Sequence, residues 1–173
     1  QMGIREGGTC ACLASAGPMG LGLIDLLLHG SRKPSLVVVT DIDQARLDRA
    51  ASLCTVADAK AHGVELHYLN TGGANPVQDM KDLAGGKGYV DVFVFAPVAG
   101  LVEQASAIMG TNGCLNFFAG PTNTDFKATI NFYDIHYAAH HVAANSGGDT
   151  NDMRIALKYM SEGKLKPAVM ITH

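Results

Sequence analysis

Six short runs of apolar and β-branched residues recur along the chain, and stretches with helical spacing lie between most of them. The runs are Thr9-Cys-Ala-Cys-Leu-Ala14, Ser35-Leu-Val-Val-Val-Thr40, Val64-Glu-Leu-His-Tyr-Leu69, Tyr89-Val-Asp-Val-Phe-Val-Phe95, Cys114-Leu-Asn-Phe-Phe118 and His141-Val-Ala-Ala-Asn145. They read as continuous apolar segments, as strands covered on both faces should. Helices are expected from the first glycine turn to Gly30, over residues 44–57, from Val77 to Ala84, from Val98 to Met109 and from Asn151 to Glu162. Gly30, the loop Asn70–Pro76, Gly85-Gly86, Gly120-Pro121 and Gly163 punctuate them, and Thr122–Lys127 reads as a polar loop. Strands that alternate with helices predict a parallel sheet with helices on both faces. Right-handed crossovers then leave few topologies.

The junction between the first strand and the first helix carries chemistry. Its sequence is Ser15-Ala-Gly17-Pro-Met-Gly20, followed by the apolar helix. Spaced S-x-G-x-x-G, it has the form of a dinucleotide fingerprint with serine at the first glycine. Gly17 would let backbone approach a pyrophosphate, and Gly20 would let the helix pack closely on the strand. The first-turn N–H groups would face the phosphates. Pro18 sits where a missing N–H costs nothing, and Met19 completes the turn. Ser15 lacks glycine's freedom at positive φ. The second strand ends in Asp41, 21 residues after Gly20, the place from which a carboxylate accepts hydrogen bonds from an adenine ribose. The plainer reading makes Asp41 a helix cap, but Asp43, just before the next helix, suits that role better. Strand, glycine turn, helix, strand and acid in this order predict an α/β Rossmann fold. Its doubly wound six-stranded parallel sheet would run in order 3-2-1-4-5-6, with ligand at the carboxyl ends of the strands.

Composition narrows the function classes. A chain of 173 residues reads as a single domain able to bury its own core. With 47% hydrophobic and 17% charged residues, disorder is not expected. A net charge of −3 gives no electrostatic case for nucleic acid or an anionic membrane. No apolar run approaches the roughly 20 residues of a bilayer span, and no secretory signal precedes the first strand. Cys10 and Cys12 point to one face of a strand, poorly placed for a disulfide, while Cys54 and Cys114 are far apart in sequence. Buried thiols and a reducing cytoplasm are expected.

The stretches Ala16-Gly-Pro-Met-Gly-Leu-Gly22, Val39-Thr-Asp-Ile-Asp-Gln-Ala-Arg-Leu47, Asp91-Val-Phe-Val-Phe-Ala-Pro-Val98, Cys114-Leu-Asn-Phe-Phe-Ala-Gly-Pro121 and Pro167-Ala-Val-Met-Ile-Thr-His173 are spread along essentially the whole chain. In them the sequence resembles the cofactor-binding domain of the zinc-dependent medium-chain dehydrogenase/reductase family. The resemblance implies that Gly17, Pro18, Met19 and Gly20 form the pyrophosphate turn, Asp41 is the ribose carboxylate and Arg46 contacts the same ribose. It further implies that Ala96, Pro97, Gly120, Pro121 and Ser146 lie in segments that line the nicotinamide. Nothing in the chain matches the family's zinc-bearing catalytic domain. The resemblance therefore implies a cofactor domain excised from a larger two-domain enzyme, with no catalytic or metal residues of its own. The whole enzyme would pass hydride between NAD(H), favoured over NADP(H), and a sugar alcohol or ketose phosphate, with zinc polarising the substrate oxygen. Pairing as a homodimer through the sixth strand, with the tail Ala168–Ile171 contributing, is also implied.

Other candidate chemistry reads as structural. His136 and His140, if on one helix, would share a face and could hold zinc, but no glutamate or cysteine accompanies them at ligand spacing. Asp25, inside the apolar first helix, reads as a structural hydrogen-bonding group. Lys81, Asp82 and Lys87 read as a solvated face. There is no G-x-S-x-G elbow, and no lysine follows Tyr133 or Tyr137 at the spacing that would let a Tyr-Lys pair replace zinc. The alternative function, in a different class, is a nucleotide-sensing module of the same fold without catalysis.

Overall fold

The structure is a computed structural model that describes residues 4–73 and 75–171. Ala74, within the expected Asn70–Pro76 loop, lies outside the described residues, as do Gln1 at the start and Thr172 and His173 of the last quoted stretch. Six strands form the sheet: β1 (Thr9–Leu13), β2 (Leu36–Asp41), β3 (Glu65–Asn70), β4 (Tyr89–Val94), β5 (Met109–Phe117) and β6 (His141–Ala144). All neighbours pair in parallel, in the order β3-β2-β1-β4-β5-β6. This is the expected doubly wound α/β fold. The helices are α1 (Pro18–His29), α2 (Gln44–Leu53), α3 (Val56–Ala61), α4 (Pro76–Leu83), α5 (Ala99–Ile108), α6 (Phe132–Tyr137) and α7 (Thr150–Ser161), followed by a 3₁₀ turn at Pro167–Met170. None of them is long and apolar enough to cross a membrane.

The pleat of the central strands divides the core into two layers. Cys10 and Cys12 of β1 join Val37 and Val39 of β2 under Leu21, Ile24 and Leu28 of α1. Ala11 and Leu13 point the other way, joining Val38, Val92 and Val94 beneath Val102, Ala105 and Ile108 of α5. Alternate residues feed opposite layers because successive side chains of a strand point to opposite faces, and both faces are covered. All four cysteines are free, and the Sγ atoms of Cys10 and Cys12 lie 4.0 Å apart in the first layer. Asp91 is the one acid inside the β4 run. It accepts the Arg5 N–H at 3.0 Å, and burial pushes its carboxyl up from the ordinary carboxylate range.

The structure corrects four expectations. The helix expected over 44–57 is two helices. Thr55 caps α3 by accepting the Asp58 N–H at 3.1 Å, and the Tyr68 hydroxyl donates to the Cys54 carbonyl at 2.6 Å, so the break at Cys54 is satisfied from both sides. β5 begins at Met109 rather than Cys114, with a register irregularity against β4. Two glycines allow this: a Cβ on Gly110 would lie 2.4 Å from the Lys87 carbonyl, and Gly88 adopts φ +74°. His136 and His140 do not share a helix. α6 ends at Tyr137, Ala139 turns the chain at φ 53°, and His140 is buried while His136 is exposed. The tail does not lie at the β6 edge. Met170 packs on Gly22 of α1, and Arg49 of α2 donates to the Ile171 carbonyl at 3.0 Å, over the middle of the sheet. β6 itself does form an edge of the sheet.

The tightest point of the fold is where α1 crosses the turn after β1. A Cβ built on Gly20 would sit 1.8 Å from the Ser15 carbonyl oxygen and 2.7 Å from its Cα. Neither partner is a flexible side chain, so the helix itself would have to move. Gly20→Ala is expected to lower unfolding free energy by about 3 kcal/mol, measured by urea denaturation. A loss under about 0.5 kcal/mol would mean that the crossing is looser than these distances require.

Candidate functional site

The carboxyl ends of β1, β2, β4 and β5 surround a cavity of about 630 Å³, a volume usual for ligand sites. Its position is the one a doubly wound sheet provides, where the connections from β1 and β4 leave to opposite sides.

The turn from β1 to α1 forms one wall. Ala14, at φ 53°, makes the reversal, so the left-handed conformation falls one residue before the serine. Ser15 is fully buried and ties the turn to two strands. Its N–H donates to the Thr40 carbonyl at 2.9 Å and its hydroxyl to the Cys12 carbonyl at 2.8 Å. Gly17 then caps α1 without any side-chain bond, and the first intrahelical bond runs from the Leu21 N–H to the Gly17 carbonyl at 2.9 Å. The Met19 and Gly20 N–H groups precede that bond and belong to the free donors of a helix start. No acidic residue stands in the first turn to compete with an anion. An ideal Cβ on Gly17 would meet nothing within 4 Å. Backbone there is open to the cavity.

Asp41 forms the opposite wall. It is 5% exposed at the end of β2, and its Oδ1 accepts the Asp43 N–H at 3.1 Å. The capping role falls to Asp43, whose Oδ1 accepts the Arg46 N–H at 3.2 Å at the start of α2. Asp41 is therefore held by the backbone and keeps acceptor capacity for a ligand. The exposed Arg46 guanidinium lies 3.6 Å from Asp43 at the cavity rim. Ile42 and Thr71 flank the acid. On the far side, Phe95 and Phe118 pack as a tilted pair at 5.0 Å between centroids, beside Ala96 and Gly120. Gln104 of α5 also lines the cavity, and its buried Oε1 has no hydrogen-bond partner among the described residues.

Of the residues singled out from sequence, Gly17, Pro18, Met19, Gly20, Asp41, Arg46, Ala96 and Gly120 line this one cavity. Pro97 and Pro121 adjoin its lining without belonging to it, and Ser146 stands exposed beyond β6, also outside it. Sequence reasoning missed Ala14, Thr71, Phe95, Phe118 and Gln104. The two phenylalanines end apolar strands and were legible as strand residues; Gln104 carries no local signal, since a polar residue on a helix is ordinarily solvated.

The chain is 52% identical over 174 residues to a mannitol-1-phosphate 5-dehydrogenase of Aliivibrio fischeri, which covers 100% of this chain and 41% of that protein. It is 43% identical over 173 residues to an L-sorbose 1-phosphate reductase of Klebsiella pneumoniae, covering 99% of this chain and 41% of that protein. Both relatives align along essentially the whole of this chain. The chain spans about two fifths of the length of these relatives. No protein-family model matches it. Among solved structures, the alcohol dehydrogenase TADH from Thermus sp. ATN1 superposes with a TM-score of 0.77 at 18% identity, over 98% of this chain and 46% of that one, a likeness of fold.

The open backbone at Gly17 gives a direct test of the site. A Cβ there meets nothing within 4 Å, and φ −86° suits any residue, so Gly17→Val is expected to melt within 2–3 °C of the parent, the size of an ordinary surface change. Its side chain would stand over the helix N-terminus, and NADH affinity, read by fluorescence titration, is expected to fall at least about tenfold. Unchanged affinity in the folded variant would place the dinucleotide elsewhere.

Proposed function

We propose that the chain is the NAD(H)-binding domain of a zinc-dependent oxidoreductase that passes hydride between nicotinamide and a sugar alcohol or ketose phosphate. The observation that carries it is the meeting of two features on one cavity: an uncapped helix N-terminus with open glycine backbone, and a buried carboxylate at the end of the next strand. The first suits a pyrophosphate and the second a ribose diol. The named relatives are a dehydrogenase and a reductase of sugar phosphates, which favours the enzyme over a nucleotide-sensing module.

In this role the Met19 and Gly20 N–H groups donate to the pyrophosphate. Pro18 presets the first turn and exposes no competing donor. Asp41 accepts from the ribose hydroxyls, steadied by the Asp43 N–H, and Arg46 closes over the same sugar. Ala96 and Gly120 offer main-chain groups toward the carboxamide end, with Pro97, Pro121 and Ser146 in the adjoining segments. Phe95 and Phe118 make that end of the cavity apolar. Nicotinamide supplies the hydride acceptor or donor, and zinc, held by residues outside this chain, supplies Lewis acidity. The whole enzyme is taken to act as a cytoplasmic homodimer paired through β6.

Two outcomes test the proposal. NADH is expected to bind at least about tenfold tighter than NADPH, because a 2′-phosphate would meet the buried Asp41 carboxylate with Asp43 beside it. Asp41→Ala is expected to remove most of that preference; tighter binding of NADPH by the parent would overturn it. The 173-residue chain is also expected to bind NADH without oxidising it in the presence of ketose phosphates, with or without added zinc. Steady turnover by this chain alone would mean that the domain carries its own catalytic group.

A further inference from the structure

The far end of α1 carries a second cluster. His29 lies roughly 16 Å along the helix axis from Pro18, at 1.5 Å per residue, on the opposite side of the fold from the cavity mouth. Its imidazole is held from behind by Asp25, one turn earlier and 1% exposed. His29 Nδ1 lies 2.9 Å from both the main-chain oxygen and Oδ1 of Asp25. Asp25 is itself fixed by the Lys166 N–H. The front nitrogen, Nε2, points at Oδ2 of Asp58 in α3, again at 2.9 Å. His62 closes α3 with Nδ1 3.4 Å from the other Asp58 oxygen, and its ring meets that of His29 edge-on at 4.6 Å between centroids. One ligand atom from each of His29, Asp58 and His62 lies within 4.8 Å of the others.

The chemistry of these contacts asks for a cation. With its Nδ1–H engaged by Asp25, a neutral His29 ring presents a lone pair to the Asp58 carboxylate, and two electron-rich atoms at 2.9 Å repel. A proton on Nε2 would bridge those two atoms, and His62 Nδ1 also lies 2.9 Å from the Asp58 main-chain oxygen. A larger ion would engage all three side chains, whose ligand atoms lie within 4.8 Å of one another. The tetrahedral edge of a zinc site, with ligand bonds near 2.0–2.1 Å, is about 3.3 Å; His29 Nε2 lies 2.9 Å from Asp58 Oδ2, close to that edge. A buried carboxylate behind the first histidine is the support that metal-ligating imidazoles require, because it fixes the ring and leaves one nitrogen for the metal. Cys54 is not among the side chains whose ligand atoms come together there; burial and then the charges of Asp25 and Asp58 push its thiol up to about 12.

We propose that His29, Asp58 and His62 form a binding site for a zinc-class divalent ion, with Asp25 as a positioning residue. The side chains of Asp58 and His62 are each about one-third exposed, so solvent fills the fourth position. The ion would tie the end of α1 to α3, remote from the cavity, and would act as a staple on the fold. It is separate from any zinc of a catalytic domain, and it does not depend on the identity of the dinucleotide.

The test uses the 173-residue chain stripped with a chelator and titrated with Co(II) and with Zn(II). One equivalent of Co(II) is expected to bind with the visible absorption of a four-coordinate site, and Zn(II) is expected to raise the melting temperature. His62→Gln changes a part-exposed side chain and should stay folded by circular dichroism. It and Asp58→Asn are expected to weaken binding at least tenfold and abolish the thermal shift, with NADH binding intact. Asp25→Asn, which leaves all three ligands in place, is expected to weaken metal binding about 10–100-fold. Failure of the parent to bind either metal at 100 µM added ion would overturn the proposal. So would affinity unchanged by His62→Gln, which would move the site to another set such as His136, His140 and His141.

Discussion

The close approach of α1 to the turn after β1 is the contact on which the rest of the molecule depends. Helix backbone at Gly20 lies against the Ser15 carbonyl with no room for a side chain. This contact sets α1 directly over β1 and β2, and Leu21, Ile24 and Leu28 then seal the first core layer. It also aims the helix start at the carboxyl ends of the strands. The free N–H groups and the mouth of the cavity are one consequence of that packing, since a helix held further off would open its first turn to water.

Holding one helix so firmly gives both of its ends a fixed address. At the N-terminus the donors are uncapped, because glycine and proline provide no side chain to take them. At the other end Asp25 and His29 share a face one turn apart, and α3 brings Asp58 and His62 to meet them. The two aspartates after β2 divide their duties in a similar way. Asp43 accepts the Arg46 N–H of α2, and Asp41 is left with an oxygen to offer. A single acid doing both would have its lone pairs directed at the helix and away from the cavity.

Much of this was legible in the order of residues. Continuous apolar runs with glycine and proline between them determined the strands and the parallel sheet, because a doubly covered strand cannot alternate and breakers cannot continue a helix. Spacing alone put Gly17, Gly20 and Asp41 at one place, since each lies at the carboxyl end of a strand or the start of the helix that follows, and all such ends converge in this fold. The positions of α2 and α3, the early start of β5 and the docking of the tail depend instead on partners distant in sequence: Tyr68 for the break at Cys54, Lys87 and Gly88 for Gly110, and Gly22 for Met170. Local propensity has no access to these.

By itself, then, the sequence determined the sheet, its order and the wall of the cavity built from the fingerprint, because these rest on local periodicity and on the rule that strand ends gather on one side. Only the tertiary structure decided which residues complete the cavity, why a serine is tolerated in the turn and where the histidines go. Ala14 takes the left-handed φ, so Ser15 is free to bond with β1 and β2. Gln104 comes to the cavity from α5, while its neighbour Glu103 is exposed. His29 and Asp58 lie 29 residues apart, and no pattern along the chain relates them; the packing of α1 against α3 does.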